Sequence, residues 1–173
     1  MSTKVLPFPR GETYGQGGLT LSATNGAHLD GKIVETIDDS GNVLKLRIVC
    51  ADAALTDVGG KCVSFTSGSV GKNVNALTDA DGEIAAIVDD AYATTDDIEQ
   101  YDRFYVVEEG DVDAVADATV NAAEIAVMAD ASGDGVITAT AGKFVIGVSN
   151  EAVSDGIASI HVGGNLKPSD AAG

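Results

Sequence analysis

DASGDGVITATAG, residues 130–142, is the stretch whose reading decides the fold. Asp130, Ser132 and Asp134 alternate and Gly135 follows, which is how an EF-hand calcium loop begins. Such a loop also needs a bidentate acid at its twelfth position and a helix on each side. The twelfth position here is Ala141, and the flanks EIAVMA (124–129) and KFVIGV (143–148) are short, apolar and strand-like. Ser132-Gly133-Asp134-Gly135 therefore reads as a tight turn between two strands, with glycine supplying positive φ. Asp130 and Asp134 could hold at most a weak cation, and no metal site is assigned.

The same grammar extends outward. GKIVETI (31–37) runs into Asp39-Ser40-Gly41-Asn42, a hairpin turn by composition, and then VLKLRIVC (43–50). KCVSF (61–65), EIAAIV (83–88), RFYVV (103–107), VITAT (136–140) and IASIHV (157–162) are further apolar runs punctuated by Gly and Asp. Strands of about five residues separated by such turns predict an all-β sandwich or barrel. One segment, TTDDIEQYDRF (94–104), has Thr95 as a possible N-cap and acids in its first turn, and predicts one or two helical turns.

Composition limits what this chain can be. Its 173 residues suffice for one core, which must come from Val, Ile, Ala and Leu because aromatics are few and Trp is absent. The net charge is −17, and all of it lies after residue 47: residues 1–47 hold five basic and five acidic side chains, the remainder five and 22. A surface this acidic repels phosphates, so neither nucleic acid nor an anionic membrane is an expected partner. It fits adaptation to high salt, where counter-ions screen self-repulsion. No apolar run has signal-peptide or membrane-spanning length. Cys50 and Cys62 lie in apolar segments without a C-x-x-C or a histidine partner, and read as buried free thiols.

Residues 1–30 differ from the rest. Pro7 and Pro9 bar a helix and favour extended chain, so this part reads as an N-terminal arm ahead of a β-domain at 31–173.

No constellation for catalysis emerges, and the expectation is a non-enzyme without a cofactor. SVGKN around Lys72 has Thr66 where a phosphate loop needs glycine and Asn73 where it needs Ser or Thr, so it is read as a turn. His28 and His161 are far apart and outside any nucleophile motif. The acid pairs Asp89-Asp90, Asp96-Asp97 and Glu108-Glu109 leave a carboxylate pair open on composition alone. The aromatics Tyr92, Tyr101, Phe104 and Tyr105 are explained at least as well by core packing as by a sugar platform.

Within ADASGDGVITATAGKFVIGVSNEAVSDGIASIHVGG (129–164), a turn and strand lead to Gly142-Lys143, then Ile146-Gly147-Val148, Asn150-Glu151-Ala152, the turn Ser154-Asp155-Gly156 and a last strand closing on Gly163-Gly164. This resembles the capsid cement, or head decoration, proteins of tailed viruses. QYDRFYVVEEGDVDAVAD (100–117), with Gly110-Asp111-Val112, is similar to that family's middle section, and the likeness spans about residues 58–164. The resemblance implies a small β-barrel or β-tulip-like domain. It also implies a structural role on the outer face of an icosahedral head, clamping neighbouring subunits, with the major capsid protein and its own copies, as a homotrimer, for partners. Combined with the acidity, it points to a virus of a salt-loving host. The arm would carry capsid contacts, with Val5, Leu6, Phe8, Arg10 and Tyr14 as expected capsid-binding residues. Two alternatives stay open: a viral spike or receptor-binding module with Tyr92–Tyr105 at its tip, and an extracellular ligand- or calcium-binding β-domain.

Overall fold

The structure, a computed structural model, describes residues 29–163 apart from 39, 94 and 132–134. The strand β6 (Arg103–Val115) organises it, and its sequence RFYVVEEGDVDAV changes character half-way. Arg103–Val107 is buried without interruption, which an apolar run does when both faces are covered. From Gly110 the strand alternates, with Asp111 and Asp113 exposed and Val112 and Ala114 buried, as a strand covered on one face does.

The two halves of β6 have different partners. The first pairs antiparallel with β2 (Val43–Ala51), from Cys50↔Arg103 to Lys45↔Glu109. The second pairs with β10 (Ile157–Val162), from Val162↔Gly110 to Ile157↔Val115. The exchange falls at Gly110, whose φ of 123° is open only to glycine. The adjoining register shift between Lys45 and Leu46 is a bulge.

Around this spine lie β1 (Ile33–Ile37), β3 (Cys62–Phe65), β4 (Asn73–Leu77), β5 (Ala85–Ile87), β7 (Ala126–Ala129), β8 (Val136–Thr138) and β9 (Gly147–Ser149). They form one sheet in the order β5-β3-β4-β2-β6-β10-β9-β7-β8, with β1 paired to β2 off this path. All the pairings are antiparallel except β2 with β4. The sheet curls into a half-barrel, as an all-β chain of short strands predicts. Each end of the path is tied back to β6 by one bridge, Val88↔Val106 and Ala116↔Val136.

The core is aliphatic, as the composition required: Val49, Val63, Val74, Ile87 and Ile160 are at most 1% exposed. Burying each such side chain contributes ~1.5–3 kcal/mol, so many small residues replace the missing Trp. Tyr92 and Phe104 meet edge to face at 6.4 Å. The Tyr92 hydroxyl accepts the Tyr105 N–H at 3.3 Å.

Several expectations need correction. The stretch 94–104 is not helical among its described residues. Ile98 exchanges backbone hydrogen bonds with Leu55 at 2.8 and 2.9 Å and is 1% exposed. A helix here would have had little apolar surface to bury, and the cross-strand pairing buries Ile98 completely. The strand Asn73–Leu77 follows the SVGKN turn and was not expected, because Asn, Gly and Lys mask its short apolar content. KFVIGV gives a strand only from Gly147. Phe144 and Ile146 are buried from the preceding turn instead.

Candidate binding surface

Strands β7 and β8 flank the turn expected at 132–135, of which Ser132, Gly133 and Asp134 lie outside the described residues. β7 and β8 pair from Ala129↔Val136 to Val127↔Thr138, and the Asp130 N–H donates to the Gly135 carbonyl at 2.9 Å. Gly135 is required by contact: a Cβ there would lie 1.9 Å from the Val115 carbonyl oxygen. Asp134 lies outside the described residues. The Asp130 backbone carbonyl accepts a short hydrogen bond from the Thr78 hydroxyl, which ties this turn to the end of β4. Among the described residues no three His, Cys, Asp or Glu side chains are grouped as metal ligands.

The acid pairs are put to structural use. Asp90 accepts the Asp113 N–H at 3.2 Å, Asp96 the Ala93 N–H at 2.8 Å and Asp97 the Asp57 N–H at 3.3 Å. Asp89 is fully buried and accepts the Ala91 N–H at 3.3 Å. Glu108 and Glu109 receive Arg47 and Lys45 from β2. The pairs are split between loops and opposite strand faces, so no pair of neighbours forms one exposed carboxylate site.

SVGKN is a turn: the Lys72 N–H reaches the Ser69 carbonyl at 3.0 Å and Gly71 has φ 79°. His161 sits on the exposed face of β10, its Nδ1 2.7 Å from Asp111 Oδ1 across the strand pair. Asn150 Nδ2 joins them, 3.2 Å from the same oxygen and 3.0 Å from Ser159 Oγ. His28 lies outside the described residues. Cys50 and Cys62 are free and buried, and burial pushes both thiols up, away from the reactive thiolate. Of the aromatic cluster, Tyr92, Phe104 and Tyr105 are buried, and Tyr101 alone is exposed. Core packing accounts for that cluster, and it does not form the aromatic tip of a spike.

What remains is the segment 29–32 and the sheet beside it. Val5, Leu6, Phe8, Arg10 and Tyr14 themselves lie outside the described residues. Leu29 is buried. The Gly31 N–H donates to Ile48 O at 2.8 Å, and the Ile48 N–H to Lys32 O at 2.9 Å. Two arginines hold Asp30 and Gly31. Arg103 binds Asp30 through Nε at 2.9 Å and Nη2 at 3.2 Å, and donates to the Tyr101 carbonyl at 2.7 Å. Arg47 binds both oxygens of Glu108 at 2.7 Å and reaches the carbonyl of Gly31 at 3.2 Å. Each carboxylate bond raises its guanidinium above the ordinary range, so both charges are fixed. In VLKLRIVC, Lys45 and Arg47 alternate with apolar residues, a pattern that marks them only as the polar face of a strand.

Beside this segment β1 pairs with β2, and among the described residues no other strand pairs with it. Its outward face carries Ile33 and Ile37, 47% and 60% exposed, with Val43 of β2 at 58%. The ion pair Lys45–Glu109 at 2.6 Å lies between them on β2 and β6. An edge strand that exposes Ile33 and Ile37 is the clearest interaction surface among the described residues.

No protein-family model matches the chain, and no curated protein matches it. Among solved structures it is similar to the N base of the head fiber protein gp8.5 of bacteriophage phi29. The two are 9% identical with a TM-score of 0.41, over 72% of this chain and 98% of that chain.

Proposed function

We propose that this protein is a structural component of a virion. It binds the outer surface of an icosahedral capsid and stabilises the shell by bridging neighbouring subunits. The observation that carries this reading is where the head-decoration resemblance falls. Its two segments, 100–117 and 129–164, supply β6, β8, β9 and β10, of which β6, β10 and β9 are neighbours in the sheet. Gly110-Asp111-Val112 is the point at which β6 changes partner, and Ser154-Asp155-Gly156 is the turn that leads into β10. The motifs that carry the resemblance are therefore the joints of one folded unit.

The remaining features support the same role. The arm, with Val5, Leu6, Phe8, Arg10 and Tyr14, would meet the major capsid protein, and the acidic remainder would face the medium. A homotrimer set over a junction of subunits would add several modest contacts whose linkage raises their effective concentration. The test is the copy number of this chain in purified particles, by quantitative mass spectrometry against the major capsid protein. A simple lattice fraction, such as one to one, is expected. A handful of copies per particle would place it at a vertex or tail and overturn the bridging role.

A further inference from the structure

The edge of β1 is built to receive one more strand. Asp38 donates to the Asn42 carbonyl and Ile48 to the Lys32 carbonyl, so Ile33↔Arg47 and Ile37↔Val43 are non-hydrogen-bonded pairs of the β1–β2 ladder. By alternation Val34 and Thr36 exchange bonds with β2. Ile33, Glu35 and Ile37 turn their N–H and carbonyl groups outward. The same three residues present their side chains to solvent.

The sequence supplies a matching segment. In KVLPFPR, residues 4–10, the prolines stand at 7 and 9. In an extended chain alternate residues face opposite edges, so both missing donors fall on one side. Leu6, Phe8 and Arg10 keep complete pairing groups on the other. Such a strand can join a sheet edge and cannot be extended further, which also blunts the edge against aggregation.

From this match we infer that residues 4–10 add to β1 as an antiparallel edge strand of the same chain. A register that sets Phe8 opposite Ile37 sets Arg10 opposite Glu35. The aromatic ring then covers the exposed Ile37–Val43 pair, and the guanidinium faces a carboxylate. Glu12 would come to lie opposite Ile33, four residues from Leu29, so residues 13–28 need only close a loop between neighbouring strand ends. That loop contains Gly15, Gly17 and Gly18. Its closure costs little, and tethering supplies a local concentration on the order of millimolar. Charge selects the occupant. Residues 1–28 hold two basic and one acidic side chain, residues 29–163 seven and 25. The arm is attracted to the body. The residues that cover β1 are those proposed to meet the capsid, so a capsid sheet edge would compete with β1 for them. The stowed strand of the free protein does not depend on that reading.

Residue-resolved amide exchange on the full chain tests this, and needs no capsid. Protection of the Ile33, Glu35 and Ile37 amides by ~10-fold or more is expected, lost in Phe8→Pro and kept in Pro7→Ala. The Val34 and Thr36 amides, bonded to β2, report that each variant is folded and should not change. Equal exchange of the Ile33, Glu35 and Ile37 amides in the full chain and in Phe8→Pro would overturn the proposal. Protection that rises with protein concentration would assign the strand to a neighbouring copy and overturn its assignment to the same chain.

Discussion

Replacing Gly110 with alanine attacks the joint on which the two halves of the sheet depend. A Cβ at this position would lie 2.7 Å from Leu44 Cδ1, 3.3 Å from Leu44 Cα and 3.4 Å from the Val43 carbonyl oxygen. Leu44 is 2% exposed, so its side chain has no solvent to move into. Two costs add. A φ of 123° is outside the regions open to alanine, which is worth ~1–3 kcal/mol. Forcing a methyl against a buried leucine costs a further ~1–3 kcal/mol. The sum, about 2–6 kcal/mol, is a large share of the 5–15 kcal/mol typical of a domain. Urea unfolding followed by far-ultraviolet circular dichroism would measure it, with Gly142→Ala as the control. Gly142 has a φ of 78° but nothing within 4 Å of the added atom, so it should lose only the backbone term, about 1 kcal/mol. A Gly110→Ala midpoint indistinguishable from that of Gly142→Ala would refute the claim that β6 changes partner through a crowded, glycine-only joint.

Other outcomes follow from the charges. Arg47→Met should cost ~3–5 kcal/mol in the same assay, because it strands the Glu108 carboxylate, whose side chain is 10% exposed; the double variant Arg47→Met/Glu108→Met should recover much of that loss. Asp102 is held above the ordinary carboxylate range, first by burial and then by the charge of Glu99. Because the fold raises this pKa, the ionised form is penalised in the native state, fully so at neutral pH and not at all once pH falls below the ordinary carboxylate value. Asp102→Asn should therefore raise the urea midpoint at pH 7 and leave it unchanged at pH 3. With a net charge of −17, melting temperature should climb as KCl is raised from 0.1 to ~1 M, since screening relieves self-repulsion; a flat profile would argue against the saline reading.

What the sequence determined by itself was local. Period-two runs bounded by Gly and Asp specify strands and turns, because alternation and positive φ are properties of a few adjacent residues. That was enough to read 130–142 as turn and strand instead of a calcium loop, since its twelfth position is Ala141 and VITAT is strand-like. It was enough too for the Asp38–Asn42 hairpin, where Asp38 Oδ1 accepts the N–H groups of Ser40 and Asn42 at 2.9 and 2.8 Å. Tertiary structure decided whatever depends on partners distant in the chain. Ile98 is extended because Leu55, 43 positions earlier, offers it a backbone and a core. β6 runs on through Glu108-Glu109-Gly110 because β2 holds one half of it and β10 the other. Arg47 and Arg103 find their carboxylates only when Glu108 and Asp30 are brought to them over 61 and 73 positions. No local pattern encodes such pairs, because each is stabilised only after the sheet has closed and excluded the water that would otherwise solvate its charges.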